Sequence, residues 1–129
     1  MGIVKLGDDY LLGWNQYRQD WEIFGGCREE GESLRRCIER EGLEELGLSG
    51  AEWTFLGLMR LKLTPGYFNP AWHEEYGALY GLTLPAGSLE AMEKSRADRD
   101  EIGRLAFYRE VNGEEKIAAI DEKLLEYWQ

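Results

Sequence analysis

The amino-acid sequence predicts one domain of the α/β class, of the α+β type, in which a mixed β-sheet is sandwiched between helices. Three observations lead to this fold class. The 129 residues are enough for one hydrophobic core and too few for two, so the domain is expected to span residues 1–129. Hydrophobic residues make up 43% and aromatic residues 12% of the chain, which is typical of a folded globular protein. Short strand-like segments and two helical patterns follow one another without a regular βαβ repeat.

Three short strands are predicted at the start of the chain, at residues 3–6, 9–14 and 21–24. These segments are rich in branched and aromatic residues. The turn-forming pair Gly7-Asp8 separates the first two strands, and a polar segment at 16–20 separates the second from the third.

One helix is marked at both of its ends. Ser33 is a favourable N-cap residue, and Gly47 is a favourable stop for a helix that runs to about Leu46. Apolar residues three and four positions apart give this helix one face that packs on the sheet, and these residues are Leu34, Cys37 and Ile38.

The rest of the chain is predicted to complete the sheet and to end in a helix. Residues 53–63 and 75–84 read as two long strands joined by the Pro-flanked loop 65–70. One helical turn is expected at 89–92, and strand character resumes at 102–108. An apolar stripe with helical spacing then predicts a final helix on a sheet face, and its members are Ile117, Ile120, Leu124 and Tyr127.

Composition and charge exclude several classes of function. The formal net charge of −10 argues against binding to nucleic acid or anionic lipid, because those partners require Lys and Arg. An acidic protein can still bind a small polyanion if its carboxylates hold divalent cations. Neither a leader pattern nor a membrane-spanning stretch is found, so we expect a cytoplasmic protein. Cys27, Cys37 and His73 are too few for a four-ligand zinc site.

Three glutamates stand on one face of the predicted helix. Glu41, Glu44 and Glu45 are spaced i, i+3 and i+4, so they repel one another by a few tenths of a kcal/mol per pair. Such clustering is compatible with a bound Mg²⁺, for which Mn²⁺ is a close substitute, because both prefer oxygen ligands. Taken alone, the run is more often only a solvated helix face.

The spacing around these glutamates favours the metal-binding interpretation. The pattern resembles the Nudix box at each charged and glycine position, and Trp21-Glu22 leads into it in the usual way; its members are Gly26, Glu32, Arg40, Glu41, Glu44, Glu45, Gly47 and Leu48. Two positions depart from the family pattern, since Phe24 often corresponds to Pro and Gly42 to a hydrophobic residue. The first strand is short for the family, which leaves open an incomplete sheet edge or a homodimer that covers it.

The resemblance implies metal-dependent hydrolysis of a diphosphate linkage in a nucleoside diphosphate derivative, with water as the nucleophile. It implies that Glu44 and Glu45 ligate the metal together with the backbone carbonyl of Gly25. Glu41 is then a third ligand or the general base, and Arg40 orients it by a charge-assisted hydrogen bond. The alternative is a nucleotide-sensing module that binds without hydrolysis, but such modules commonly lose the glutamates that this chain retains.

Further roles are implied for residues around this helix. Glu32, Gly26 and Gly47 serve structurally in the box. In this family the general base is not always in the box, so three acidic residues before the last strand are further candidates for an extra metal ligand or the base: Asp98, Asp100 and Glu101.

Residues outside the box are expected to recognise a small nucleotide-type substrate. Tyr67, Phe68 and Trp72 are candidates for stacking on a base, although an aromatic cluster that closes a hairpin is the commoner arrangement. Arg18 and Arg60 are candidates for phosphate contacts, with ordinary surface charge as the alternative.

Overall fold

The computed structural model describes residues 1–63, 73–87 and 89–129. Its strands are β1 (Gly2–Leu6), β2 (Asp9–Asn15), β3 (Asp20–Glu22), β4 (Thr54–Leu63), β5 (His73–Leu84) and β6 (Ile102–Phe107). Its helices are α1 (Leu34–Leu46), α2 (Leu89–Ser95), α3 (Tyr108–Val111) and α4 (Ala119–Leu124), and a 3₁₀ turn (Leu125–Tyr127) follows α4.

The strands form one mixed sheet in the order β3-β2-β1-β5-β4, and β6 joins it by pairing with β2. Strand β1 runs parallel to β5, with Gly2 opposite Tyr80 and Leu6 opposite Leu84. The remaining strand pairs are antiparallel. β1 pairs with the first half of β2, and β3 pairs with its second half.

Helices cover both faces of the sheet. Successive residues of a strand point to opposite faces, so Val4 and Ile3 of β1 enter different hydrophobic clusters. The Val4 cluster includes Ile38 of α1, and Met92 of α2 packs against it. The Ile3 cluster includes Val111 of α3, and Leu124 of α4 packs against it. The predicted fold class, a mixed sheet between helices, is therefore confirmed.

Helix α1 begins and ends where the sequence predicts. The hydroxyl of the N-cap Ser33 accepts a hydrogen bond of 3.1 Å from the backbone N–H of Arg36. Gly47 has a left-handed φ of 69° and donates its N–H to the carbonyl of Leu43 at 3.0 Å. A Cβ at Gly47 would also collide with the carbonyl of Ser95, at the end of α2. Gly47 is thus required both by its backbone conformation and by helix packing.

Gly42, which departs from the family pattern, makes room for an indole ring. A Cβ at Gly42 would lie 2.9 Å from Cζ2 of Trp53, and one at Gly2 would lie 2.7 Å from its Cζ3. Trp53 is only 4% exposed, so its ring fills the space that the two glycines leave between α1 and β1. Close packing on the sheet therefore accounts for the glycine within this helix.

Phe24, the second departure, uses a backbone group that proline lacks. Its N–H donates to the carbonyl of Gly2 at 3.1 Å, and its carbonyl accepts from the N–H of Gly2 at 2.7 Å. Its ring is 1% exposed within the core. A proline at this position would lose the first of these two hydrogen bonds.

The expectation of an incomplete sheet edge at the first strand is wrong. β1 lies in the middle of the sheet and is paired along both sides, with β2 and with β5. A dimer is therefore not needed to cover it, and the homodimer stays a prediction without this support.

The apolar stripe predicted for the last helix is wrong in part. Ile120 is 47% exposed and Tyr127 is 65% exposed, whereas Asp121 is buried. Asp121 faces the sheet because its Oδ2 accepts a hydrogen bond of 2.9 Å from the backbone N–H of Ile23. The helix also ends early, since residues from Leu125 onward form a 3₁₀ turn.

Other boundaries shift by a few residues. The strand predicted at 102–108 ends one residue earlier, because Tyr108 begins α3. The helical turn predicted at 89–92 extends to Ser95. None of the helices in these described parts of the chain combines the length and the apolar character that crossing a membrane requires.

Candidate active site

A cleft of about 720 Å³ lies beside the N-terminal part of α1. Its walls come from the loop before α1, from α1 itself, and from β4 and β5, and three further residues complete it: Met1, Arg18 and Glu101. The charged residues that line it are Arg18, Arg28, Glu41, Glu75 and Glu101, and its apolar or aromatic ones include Leu34, Ile38, Met59, Leu61, Tyr76 and Tyr80. The cleft thus combines carboxylates, guanidinium groups and flat apolar surface.

Two buried glutamates of α1 lie against each other at this cleft. Glu41 lines it and is 7% exposed, and Glu45, one turn later, is 4% exposed. Their carboxyl groups are hydrogen-bonded, and Glu45 also accepts from the N–H of Gly25 at 3.3 Å. Burial, together with the hydrogen bond to Glu41 and the charge of Glu41, raises the pKa of Glu45 to about 9, although the hydrogen bond from Gly25 acts in the opposite direction. At neutral pH the pair therefore holds a proton that a cation can displace.

Gly26 provides the space that Glu41 occupies. A Cβ at position 26 would lie 2.5 Å from Oε1 and 3.1 Å from Cδ of Glu41. The box glycine is therefore placed so that the loop before α1 can pass directly over the carboxylate.

Arg40 joins the loop before α1 to the glutamates of the helix. Its Nε and Nη2 reach the two carboxylate oxygens of Glu32 at 2.8 and 3.1 Å. Its Nη1 lies 3.1 Å from Glu41 and 3.3 Å from Glu44. The hydrogen bonds that Arg40 donates to Glu32 lower the pKa of Glu32 to about 2 and raise the pKa of Arg40. Arg40 thus joins Glu32, in the loop before α1, to Glu41 and Glu44 of the helix.

Glu44 is less buried than the other two glutamates. Its side chain is 42% exposed and is paired with Arg40 through Nη1, the nitrogen that also bonds to Glu41. Consistently, no group of three acidic, His or Cys side chains is assembled as a metal site within residues 1–63, 73–87 and 89–129. Magnesium commonly uses only one or two protein carboxylates and takes its remaining oxygens from water and phosphate. The buried Glu41–Glu45 pair fits that requirement.

Gly25 contacts Glu45 through its N–H group. The role of its carbonyl oxygen as a metal ligand, which the family resemblance implies, stays a prediction.

The three acidic residues before β6 have different environments. Glu101 lines the cleft, and burial and the charge of Glu41 raise its pKa. Asp98 donates its backbone N–H to the carbonyl of Glu44 at 3.0 Å, and its carboxylate accepts from the N–H of Asp100 at 2.8 Å. Asp100 is exposed. Of the three, only Glu101 presents its side chain to the cleft.

The predicted substrate contacts separate in the structure. Arg18 lines the cleft and is paired with Glu22, with Nη1 at 3.1 and 3.2 Å from the two carboxylate oxygens. Arg60 is exposed on β4, opposite Tyr76, and does not line the cleft. Tyr67, Phe68 and Trp72 lie outside the described residues.

Three residues of the site were not predicted from the sequence. Arg28, in the loop before α1, lines the cleft as a second guanidinium group. Arg96 has a fully buried side chain, and its Nε donates to the carbonyl of Glu45 at 2.7 Å while its other nitrogens reach the segment before β6. Asn15 is 1% exposed and bonds to Glu101. Only the position of Arg28 next to the box glycines gave a signal in the sequence.

Solved structures of Nudix proteins share this fold. The dihydroneopterin triphosphate pyrophosphohydrolase of E. coli has 13% identity and a TM-score of 0.71, over 98% of this chain and 90% of that one. The NUDIX domain of Shewanella oneidensis NrtR, solved with ADP ribose, has 14% identity and a TM-score of 0.69, over 98% and 81%. The MutT NUDIX hydrolase of Burkholderia pseudomallei has 17% identity and a TM-score of 0.67, over 98% of both chains. At sequence identities this low, the structural similarity establishes a shared fold and no more.

The sequence itself carries the family assignment. Among curated proteins none matches the chain. The family model for the NUDIX domain, however, matches residues 1–128, nearly the whole sequence. The resemblance seen in the box is therefore confirmed, and the chain belongs to the Nudix family as a Nudix-type hydrolase.

Proposed function

We propose that this protein hydrolyses a diphosphate linkage in a nucleoside diphosphate derivative, with Mg²⁺ as its cofactor and water as the nucleophile. The observation that carries this proposal is the buried pair Glu41–Glu45 at a cleft that also presents Arg18 and Arg28. Burying two adjacent carboxylates is costly unless a proton or a cation lies between them. A site that combines this pair with guanidinium groups suits a ligand that brings both phosphate and a divalent cation.

In this proposal the α1 glutamates hold the cation and the arginines hold the substrate. Glu41 and Glu45 supply carboxylate oxygens, with the more exposed Glu44 also available. Arg40 fixes Glu41 through its hydrogen bond, while Arg18 and Arg28 contact the diphosphate. A bound divalent cation neutralises the diphosphate and makes water more acidic.

Glu101 is the proposed general base. Its side chain reaches the cleft, and its raised pKa brings it nearer to the neutral range in which a base is most effective. Water forms a bond to phosphorus, the anhydride P–O bond breaks, and Glu101 accepts the proton that the water loses. Glu41, the other candidate base, is bonded to both Arg40 and Glu45 and is better suited to holding the cation.

The small-molecule partner is proposed to be a nucleotide. The NrtR domain was solved with ADP ribose and another structural neighbour is an Ap4A hydrolase of C. elegans, so the same fold accommodates nucleotide conjugates in those proteins. The apolar and aromatic part of the cleft, including Tyr76 and Tyr80, offers flat surface for a base.

A substrate panel tests this function. Phosphate and pyrophosphate release is measured from nucleoside triphosphates, nucleotide sugars, ADP-ribose and dinucleoside polyphosphates, with Mg²⁺ or with EDTA. The wild type should turn over at least one of these substrates. Glu45→Gln keeps the shape of the side chain but cannot release a proton to become a carboxylate ligand, so this turnover should fall by 100-fold or more in the variant. Glu39→Gln, at an exposed position of the same helix, is the matched control and should retain full activity.

Two other outcomes are informative. Nucleotide binding without turnover across the whole panel would replace the enzyme with a nucleotide-sensing module. Turnover that EDTA and Glu45→Gln leave unchanged would refute the metal site on α1.

A further inference from the structure

Asn15 lies at the end of β2 and is the buried centre of a hydrogen-bond network beside the cleft. It is 1% exposed. Its Nδ2 donates to Glu22 at 3.0 Å and to Glu101 at 3.4 Å. Its Oδ1 accepts from the backbone N–H groups of Tyr17 and Arg18, at 2.9 and 3.0 Å. Both the NH₂ group and the oxygen of the amide are therefore hydrogen-bonded, and these bonds offset the cost of removing the amide from water.

The acceptor side of Asn15 shapes the turn that carries Arg18. Two consecutive N–H groups converge on one oxygen, and the turn closes with Gln19 at a left-handed φ of 57°. The guanidinium of Arg18 then lies against Glu22, which Asn15 also holds. Asn15 therefore holds the backbone of Arg18 directly and its guanidinium group through Glu22.

The donor side of Asn15 reaches a distant part of the chain. Glu101 is 86 residues away, and besides the side-chain bond its carbonyl accepts from the N–H of Gln16 at 2.9 Å. Asn15 thus joins two charged residues that line the cleft, because it bonds to Glu101 directly and to Arg18 through the turn and through Glu22. Asp at this position would keep an acceptor and lose both donors, and Leu would lose all of these bonds.

We propose that Asn15 is a positioning residue for the hydrolytic reaction, which holds the carboxylate of Glu101 toward the attacking water and the guanidinium of Arg18 toward the diphosphate. This inference rests on the proposed function. Asn15 itself contacts neither water nor substrate, so it acts through the two side chains that do.

Two substitutions separate the two sides of the amide. Asn15→Asp keeps the acceptor for the Arg18 turn and removes both donors, the one to Glu101 and the one to Glu22, so kcat should fall by about 10- to 100-fold. KM should rise less in this variant than in Asn15→Leu, because the turn that carries Arg18 is kept. Asn15→Leu also removes the acceptor, so KM should rise further. Asn112→Asp, the same replacement at an exposed site after α3, is the control and should leave both constants unchanged.

A double-mutant cycle distinguishes positioning from a general structural effect. If Asn15 acts on kcat through Glu101, Asn15→Asp combined with Glu101→Gln should be no slower than Glu101→Gln alone. Multiplied losses of kcat would overturn the inference. If Asn15→Asp does not fold, as shown by circular dichroism, the same cycle with Asn15→Leu decides.

Failure of this inference differs from failure of the proposed function. Wild-type turnover with unchanged kcat and KM in both Asn15 variants overturns the inference alone. A wild type without turnover on any compound of the panel overturns the proposed function, and the positioning role falls with it.

Discussion

Replacing Gly26 with Ala is expected to slow hydrolysis about 100-fold without unfolding the protein. Gly26 does not have a left-handed φ, so alanine can adopt the same backbone conformation without strain. The effect of the added methyl group should therefore be confined to what it touches, and what it touches is the carboxylate of Glu41.

The size of the effect follows from the geometry. The new Cβ would lie 2.5 Å from Oε1 of Glu41, whereas an ordinary contact begins near 3.4 Å, so the carboxylate must retreat by about 3.4 − 2.5, or roughly 1 Å. A misplacement of this size costs about 100-fold in rate, which corresponds to about 2.7 kcal/mol of transition-state stabilisation. The displaced oxygen is also the one that Arg40 holds at 3.1 Å, so the side chain has little freedom to adjust elsewhere.

Two measurements test this prediction. Steady-state kinetics on the substrate found in the panel gives kcat, and thermal unfolding shows whether the variant is folded. An allowed Gly→Ala change alters the free energy of unfolding by about 1 kcal/mol or less, so the folded fraction should be unchanged. Gly87→Ala is the control, because its Cβ would have the carbonyl oxygen of Pro85 as its nearest neighbour, at 3.7 Å. A Gly26→Ala protein that keeps kcat within threefold of the wild type would refute the placement of Glu41.

Three further predictions concern stability. Gly47→Ala should lower the free energy of unfolding by about 2–4 kcal/mol in urea titrations, because it adds a left-handed penalty to a collision with Ser95, and a loss below 1 kcal/mol would contradict this. Gly42→Ala should be destabilising despite the better helix propensity of alanine, and Trp53→Leu should relieve that cost in a double-mutant cycle; additive losses would contradict the close packing. With its pKa raised to about 9, Glu45 keeps its proton in the folded state while the unfolded state loses it above about 4.5, so stability should fall as pH rises through that window. The melting temperature in EDTA should therefore drop between pH 6 and pH 9 in the wild type and less so in Glu45→Gln, and equal slopes would remove Glu45 as the cause.

Local signals account for the parts of the structure that the sequence predicted well. Ser33 and Gly47 define α1 because a cap and a left-handed stop are decided by residues a few positions apart. The identities and spacing of Gly26, Arg40 and Glu41 were likewise sufficient to identify the Nudix box from the sequence. Their contacts with Glu32 and with each other lie within one loop and one helix.

The parts that were missed depend on contacts between distant segments. Periodicity predicted that Ile120 is buried, but Asp121 is buried instead because its carboxylate accepts a hydrogen bond from the N–H of Ile23. Ile23 is 98 residues away, so the pattern of the helix alone could not show this contact. Arg96 and Asn15 look like ordinary polar residues in the sequence. Their burial is decided by carbonyl and carboxylate groups that only the folded sheet brings to them.

The central position of β1 has a consequence for the order of events during synthesis. Gly2 pairs with Tyr80, so the strand leaves the ribosome 78 residues before its parallel partner, and at about 5–20 residues per second this interval is about 4 to 16 s. During that time β2 and Phe24 can pair with β1, but Ile3 and Val4 lack half of their final surroundings. We expect the nascent chain to keep this hairpin exposed to chaperones until β5 arrives, and the slow step of refolding to be the insertion of β1 between its two neighbours.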